Sequence, residues 1–221
     1  MLLSPEPLAR HPLSPPPLPL PSTISLMDIH PVTLPGRVVR LEPLGLDHVP
    51  DLALAGLDDD IWRFMPYTNI VDEAGMRAWV QDMLLRQAAG HDLPFAVYHL
   101  AAGRAIGATR YMDIQRPHRG LEIGGTWFAR EYQRTAANTE SKLLLLTYAF
   151  ETLKCLRVQL KTDLRNERSQ RAIERLGAVR EGVLRDHMIM PDGHIRSSVY
   201  YGILASEWPG VKARLEERLR S

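Results

Sequence analysis

A single cysteine in 221 residues leaves Cys155 without a partner for an intrachain disulfide. Neither it nor the eight histidines stands at metal-ligand spacing, so no metal is implied. A buried, apolar cysteine of this kind fits the reducing cytoplasm. Charge of one sign is also missing: a formal net charge of +1 supplies no field to draw nucleic acid or an anionic membrane. No internal repeat is evident, and the first segment holds no apolar run long enough for a signal or membrane helix. What is present, 45% apolar and 24% charged residues, is the composition of one soluble globular domain.

Proline, by contrast, is concentrated. Eight of the 17 prolines fall within MLLSPEPLARHPLSPPPLPLP. We expect residues 1–30 to be an extended, disordered leader and 31–221 to be the folded domain, with Met27 an alternative start. PPPLP could form a polyproline II ligand for an aromatic groove, or a solvated leader with no partner.

Beyond the leader, RVVRLEPL alternates as a strand, and Asp47 is placed to cap a short helix. Met76, Trp79, Val80, Met83 and Leu84 recur at helical spacing. PFAVYHL, RAIGATRYMDI and LEIGGTWFA then read as an antiparallel meander. A helix over 136–153, the strand RVQLKTD, the helix NERSQRAIERLG, a hairpin joined at PDG and a charged terminal helix complete the chain. This order predicts a mixed α/β fold with helices packed on a mixed sheet.

The turn QRTAANT, which opens the long helix, is unusually small and polar. Small residues at a helix N-terminus let an anion approach unpaired N–H groups; equally, Asn138 or Thr139 could simply cap a structural helix. A second segment, TDLRNERSQRAIERLGAVREGVLRDH, carries Asn166, Ser169, Gly177 and the run Glu181 to Arg185, and is followed by PDGHIRSSVYYGILASEW. In this order the segments resemble the GCN5-related N-acetyltransferases of the RimJ/RimL type, over roughly residues 35–208.

The resemblance implies a mostly antiparallel sheet of six to seven strands flanked by helices, and acetyl-CoA as cosubstrate. Gln133, Arg134, Thr135, Ala136, Ala137, Asn138 and Thr139 match the pyrophosphate-binding loop, although both of the family's loop glycines are replaced. Gly124 and Gly125 mark either a structural bulge or the splayed strand that admits the pantetheine arm. Glu122 is the candidate general base, or else a solvent-facing glutamate. Ser169 is the candidate proton donor to the leaving thiolate. It takes the place of a tyrosine that many relatives carry one turn on, where this chain has Ile173. Asn166 could bond a pantetheine amide or only cap its helix.

Arg165, Arg168, Arg171 and Arg175 could meet the 3′-phosphate, or form a solvated face with Glu167 and Glu174. His187, Tyr200 and Tyr201 could border an acceptor pocket, and Asp58, Asp59 and Asp60 form the one dense acidic run. The expected activity is acetyl transfer to a protein N-terminus or small amine by direct attack, in the cytoplasm, without nucleic acid or membrane; a homodimer is allowed by the sequence but not required. The alternative is a non-catalytic CoA-binding sensor or interaction module, which the lost glycines favour.

Overall fold

The computed structural model describes residues 27–67, 70 and 72–220. Of the expected leader, residues 1–26 lie outside the described residues. Met27 is buried in the core, four residues ahead of the expected domain start.

One sheet organises the chain. Its strands are β1 (Leu34–Pro35), β2 (Val39–Pro43), β3 (Leu93–His99), β4 (Arg104–Gln115), β5 (Gly120–Phe128), β6 (Arg157–Asp163), β7 (Val179–Ile189) and β8 (Ile195–Leu204). They lie in the order β1-β2-β3-β4-β5-β6-β8-β7, and every pairing is antiparallel except β5 with β6. The expected mixed, mostly antiparallel sheet is therefore present, enlarged to eight strands by the two-residue β1.

Helices cover both faces. On one, α1 (Val49–Ala55) and α2 (Glu73–Ala88) bury Trp62, Met76, Trp79, Val80 and Met83 against Ala96, Ala105, Ala108 and Trp127. The strand alanines leave room for three indoles, with Trp127 centred 5.0 Å from Trp62 and 5.9 Å from Trp79. The helical spacing of these residues is thus core packing, with Leu84 half-buried at its margin. On the other face lie α3 (Ala136–Thr147), which continues through a π-helical turn at Tyr148–Thr152, α4 (Glu167–Leu176) and α5 (Trp208–Arg220). Ile173 belongs to this second core, so the position one turn beyond Ser169 offers no hydroxyl.

Asp47 does not cap α1. It sits inside a 3-10 turn, Leu46–His48, and His48 occupies the cap position without a side-chain bond to the helix. The β1–β2 hairpin is tied down from a distance by the buried Glu140 of α3. Its carboxylate accepts the N–H groups of Arg37, Val38 and Val39 at 2.8, 2.7 and 2.7 Å.

Candidate active site

The parallel pair β5–β6 parts early. Pairing covers only Gly120–Glu122 against Arg157–Gln159, after which β5 runs six further residues, to Phe128, without β6 beside it. The cause is local. The β4–β5 register slips between Ala108 and Arg110, and Gly125 adopts φ +56, a left-handed conformation that turns the strand away. At Gly124 a Cβ would lie 2.7 Å from Met112 Sδ and 2.9 Å from Glu122 Oε1, so the glycine also keeps the space beside that carboxylate open. The glycine pair therefore is a bulge, and the strand does separate from its neighbour. Strand N–H and C=O groups freed in this way can pair with an extended ligand.

Glu122 lies where the strands divide. It is 1% exposed, which excludes a solvent-facing glutamate. Its Oε2 accepts from Gln159 Nε2 at 2.9 Å and meets Lys161 Nζ at 3.0 Å, while Oε1 is directed at the glycine pair. Gln159, Lys161 and Asp163 alternate along β6 on the face opposite Val158 and Leu160. They stand directly across from Gly202, Tyr200 and Ser198 of β8.

A polar wall results. Arg196, 6% exposed, donates from Nε to Ser198 Oγ at 2.8 Å and from Nη1 to the Phe64 carbonyl at 3.2 Å, which ties the segment between α1 and α2 to the sheet. Burial holds its guanidinium below the ordinary value, an effect partly offset by Asp163 and Glu122. His187 Nε2 lies 2.9 Å from Ser198 Oγ; burial, then the nearby Arg196 and Lys161, push its imidazolium pKa below the ordinary value. Burial alone would raise Asp163, but bonds from the Arg165 side chain and N–H outweigh it and hold the carboxyl below its usual range. Tyr200 faces this wall. Tyr201 does not: it is fully buried on the opposite face, where its hydroxyl donates to Glu174 at 3.1 Å.

From the end of β5 the chain turns through Arg130–Tyr132 into the start of α3. Thr135, rather than Asn138 or Thr139, is its cap, accepting Ala137 N–H at 3.3 Å and donating to the Tyr132 carbonyl at 2.8 Å. Ala136, Ala137, Asn138 and Thr139 form the first turn, where helix geometry supplies no intrahelical acceptor for the leading N–H groups. The left-handed residue of the loop is Arg134, φ +65, a conformation that costs a non-glycine residue roughly 1–2 kcal/mol. Its side chain is exposed and has no ion-pair partner among the described residues, so a cation stands beside the positive end of the helix.

Gln133 is occupied otherwise. It donates to the Phe128 carbonyl at 3.1 Å and accepts from Arg168 of α4, which brings the two helix starts together. Asn166 caps α4 by accepting Ser169 N–H at 3.0 Å, and Ser169 is half-buried in that first turn. Arg171 pairs with Glu167 on an exposed face, and Arg165 is held by Asp163. Asp58 caps its own 3-10 turn and pairs with Arg130 at 3.0 Å, so the acidic run has a local structural use. Cys155 is buried and its thiol is pushed up to about 12 by burial, which leaves no thiolate to carry an acyl group.

Sequence reasoning passed over Lys161, Arg196 and Ser198, although the alternation in RVQLKTD and IRSSVYY could have placed them on one face. It also missed Lys142, whose position inside a leucine-rich helix was the available signal. Lys142 is 6% exposed, and burial pushes its ammonium down to about 7 from 10.5. Because the folded value is the lower, the unfolded chain binds more protons between those limits. The destabilising contribution is full below about pH 7 and fades as pH rises towards 10.5. Lys142→Met should therefore raise the thermal midpoint most near pH 6, and the gain should shrink with rising pH in a melting series.

Comparison with known proteins identifies the class. Residues 39–179 match the family described as Acetyltransferase (GNAT) domain, and the chain belongs to that family. YdaF of Bacillus subtilis (strain 168), provisionally named a ribosomal N-acetyltransferase, is 34% identical over 110 residues; these are 50% of this chain and 59% of YdaF. A GCN5-related N-acetyltransferase from Brucella melitensis superposes with a TM-score of 0.81 at 29% identity, over 86% of each chain. Mycobacterium smegmatis RimJ, solved with CoA-disulfide, shares the fold at 20% identity and a TM-score of 0.72, over 86% of this chain and 93% of RimJ. Among the described residues no helix is long and apolar enough to cross a membrane, and no cluster of metal-ligating side chains occurs.

Proposed function

We propose that the protein is a cytoplasmic, acetyl-CoA-dependent N-acetyltransferase acting on a primary amine by direct attack. The single observation that carries this reading is the parting of β5 from β6 directly after the buried Glu122, at the last paired position. The residues fit the cosubstrate. The first-turn N–H groups and Arg134 would hold its phosphates, and the free run of β5 would pair with its pantetheine amides. Bound acetyl-CoA supplies a thioester carbonyl for attack. Glu122, oriented by Gln159 and Lys161, would take the ammonium proton of the acceptor, and Ser169 would protonate the departing thiolate. YdaF's name directs the acceptor search first to ribosomal protein N-termini.

A thiol-release assay with acetyl-CoA across N-terminal peptides and small amines tests this. Turnover with at least one acceptor class is expected. Binding without release across the whole panel would instead establish the sensor reading, which the replaced loop glycines favour.

Arg134 gives a separate check. Arg134→Ala should weaken acetyl-CoA by about 1.5–3 kcal/mol, the range for a hydrogen bond to a charged group, with the melting temperature little changed. Calorimetric titration against acetyl-CoA and a phosphate-free pantetheine thioester reads the location. An equal loss for both would remove Arg134 from the phosphates.

A further inference from the structure

Lys142 has a buried ammonium and, among the described residues, no ion-pair partner. Desolvating such a charge costs several kcal/mol, and an apolar side chain of the same length would fill the space without that cost. Its hydrogen bond runs to Thr126 Oγ at 2.8 Å, and Thr126 Oγ lies 2.8 Å from Thr109 Oγ. Thr126 directly follows the left-handed Gly125, in the part of β5 that has left β6. The lysine thus links two parts of the candidate site. Its helix begins with the turn proposed to receive the phosphates, about 9 Å away along the axis at 1.5 Å per residue, and its side chain ends on the stretch of β5 that keeps β4 but has no β6 beside it.

We propose that Lys142 is a positioning residue for acetyl-CoA: from α3 it clamps the bulged run of β5 at Thr126, fixing the strand that receives the pantetheine arm relative to the helix start that receives the phosphates. This rests on the acetyl-CoA reading above. A strand without a β6 neighbour lacks the ladder that normally fixes its edge, and the Lys142–Thr126–Thr109 chain replaces part of that restraint from the side. A destabilising residue retained at such a junction is the pattern expected where stability is given up for function.

Two variants with opposite effects on stability separate positioning from general loosening. Lys142→Met removes a buried charge and should melt no lower than wild type at pH 7. Thr126→Val leaves that charge without its hydrogen-bond partner and should melt lower. Both should nevertheless weaken acetyl-CoA at least tenfold in calorimetric titration, and weaken S-acetylpantetheine, which has no phosphates, by the same factor. In steady state the KM for acetyl-CoA should rise while the KM for the acceptor stays within twofold. Wild-type affinity in Lys142→Met overturns the inference. So does a loss confined to acetyl-CoA, which would mean that the ammonium acts on the phosphates through its charge. If wild-type protein binds neither ligand, the acetyl-CoA reading itself fails, a result distinct from a bound wild type with an unaffected variant.

Discussion

Glu122→Gln should lower kcat about a hundredfold or more at neutral pH while leaving acetyl-CoA affinity within about twofold. An alkyl amine is mostly protonated at pH 7, so attack on a thioester needs a group that removes the proton. The carboxylate at the strand division is buried and aimed by two neighbours, with its second oxygen directed at the space that Gly124 keeps open. The amide keeps the shape and removes the charge. Because hydroxide can deprotonate the free amine, part of the lost rate should return between pH 7 and 9. Ser169→Ala should lose rate without that recovery, since its role would be at the leaving thiolate. Near wild-type kcat for Glu122→Gln from pH 6 to 9, with a verified acceptor, would move the proton to a water chain or to the His187–Ser198 pair.

Glu140→Ala is expected to be strongly destabilising, costing on the order of 3 kcal/mol or more. A lost hydrogen bond to a charged group alone is worth about 1.5–3 kcal/mol. Here three consecutive N–H groups, from Arg37, Val38 and Val39, depend on one carboxylate more than a hundred residues away. Truncation leaves three donors in a largely buried setting and unties the β1–β2 hairpin from α3. Glu140→Gln keeps one acceptor oxygen and should fall in between. Urea melts at pH 7 measure both. A loss under 1 kcal/mol for the alanine variant would mean that water replaces the carboxylate at little cost, and that the hairpin is held by its apolar residues.

The order of strands and helices was legible because each element has a clear period and a clear stop. Alternation in RVQLKTD and the apolar spacing of Met76, Trp79, Val80 and Met83 are local properties that the folded chain keeps. The bulge at Gly124–Gly125 was legible for a related reason, since glycine inside a strand has few other uses. Cap identities were less so. Thr135, Asn138 and Thr139 are all capping residue types within five positions, and the choice among them depends on where Arg134 turns left-handed. Hidden altogether was long-range pairing. Glu122 with Lys161, Arg168 with Gln133, and Glu140 with the β1–β2 hairpin join residues that no local pattern links. The same is true of the two tyrosines on β8, where a one-residue difference in register decides that Tyr200 faces the polar wall and Tyr201 the core.

Amide hydrogen exchange with and without saturating acetyl-CoA tests the proposed site most directly, because it reads the backbone groups themselves. Peptides covering Ile123–Phe128 and Gln133–Thr139 should exchange more slowly when the ligand is present, and those covering β2 and β3 should be unchanged. Protection confined to other segments, or none at concentrations that support turnover, would contradict binding in the gap between β5 and β6.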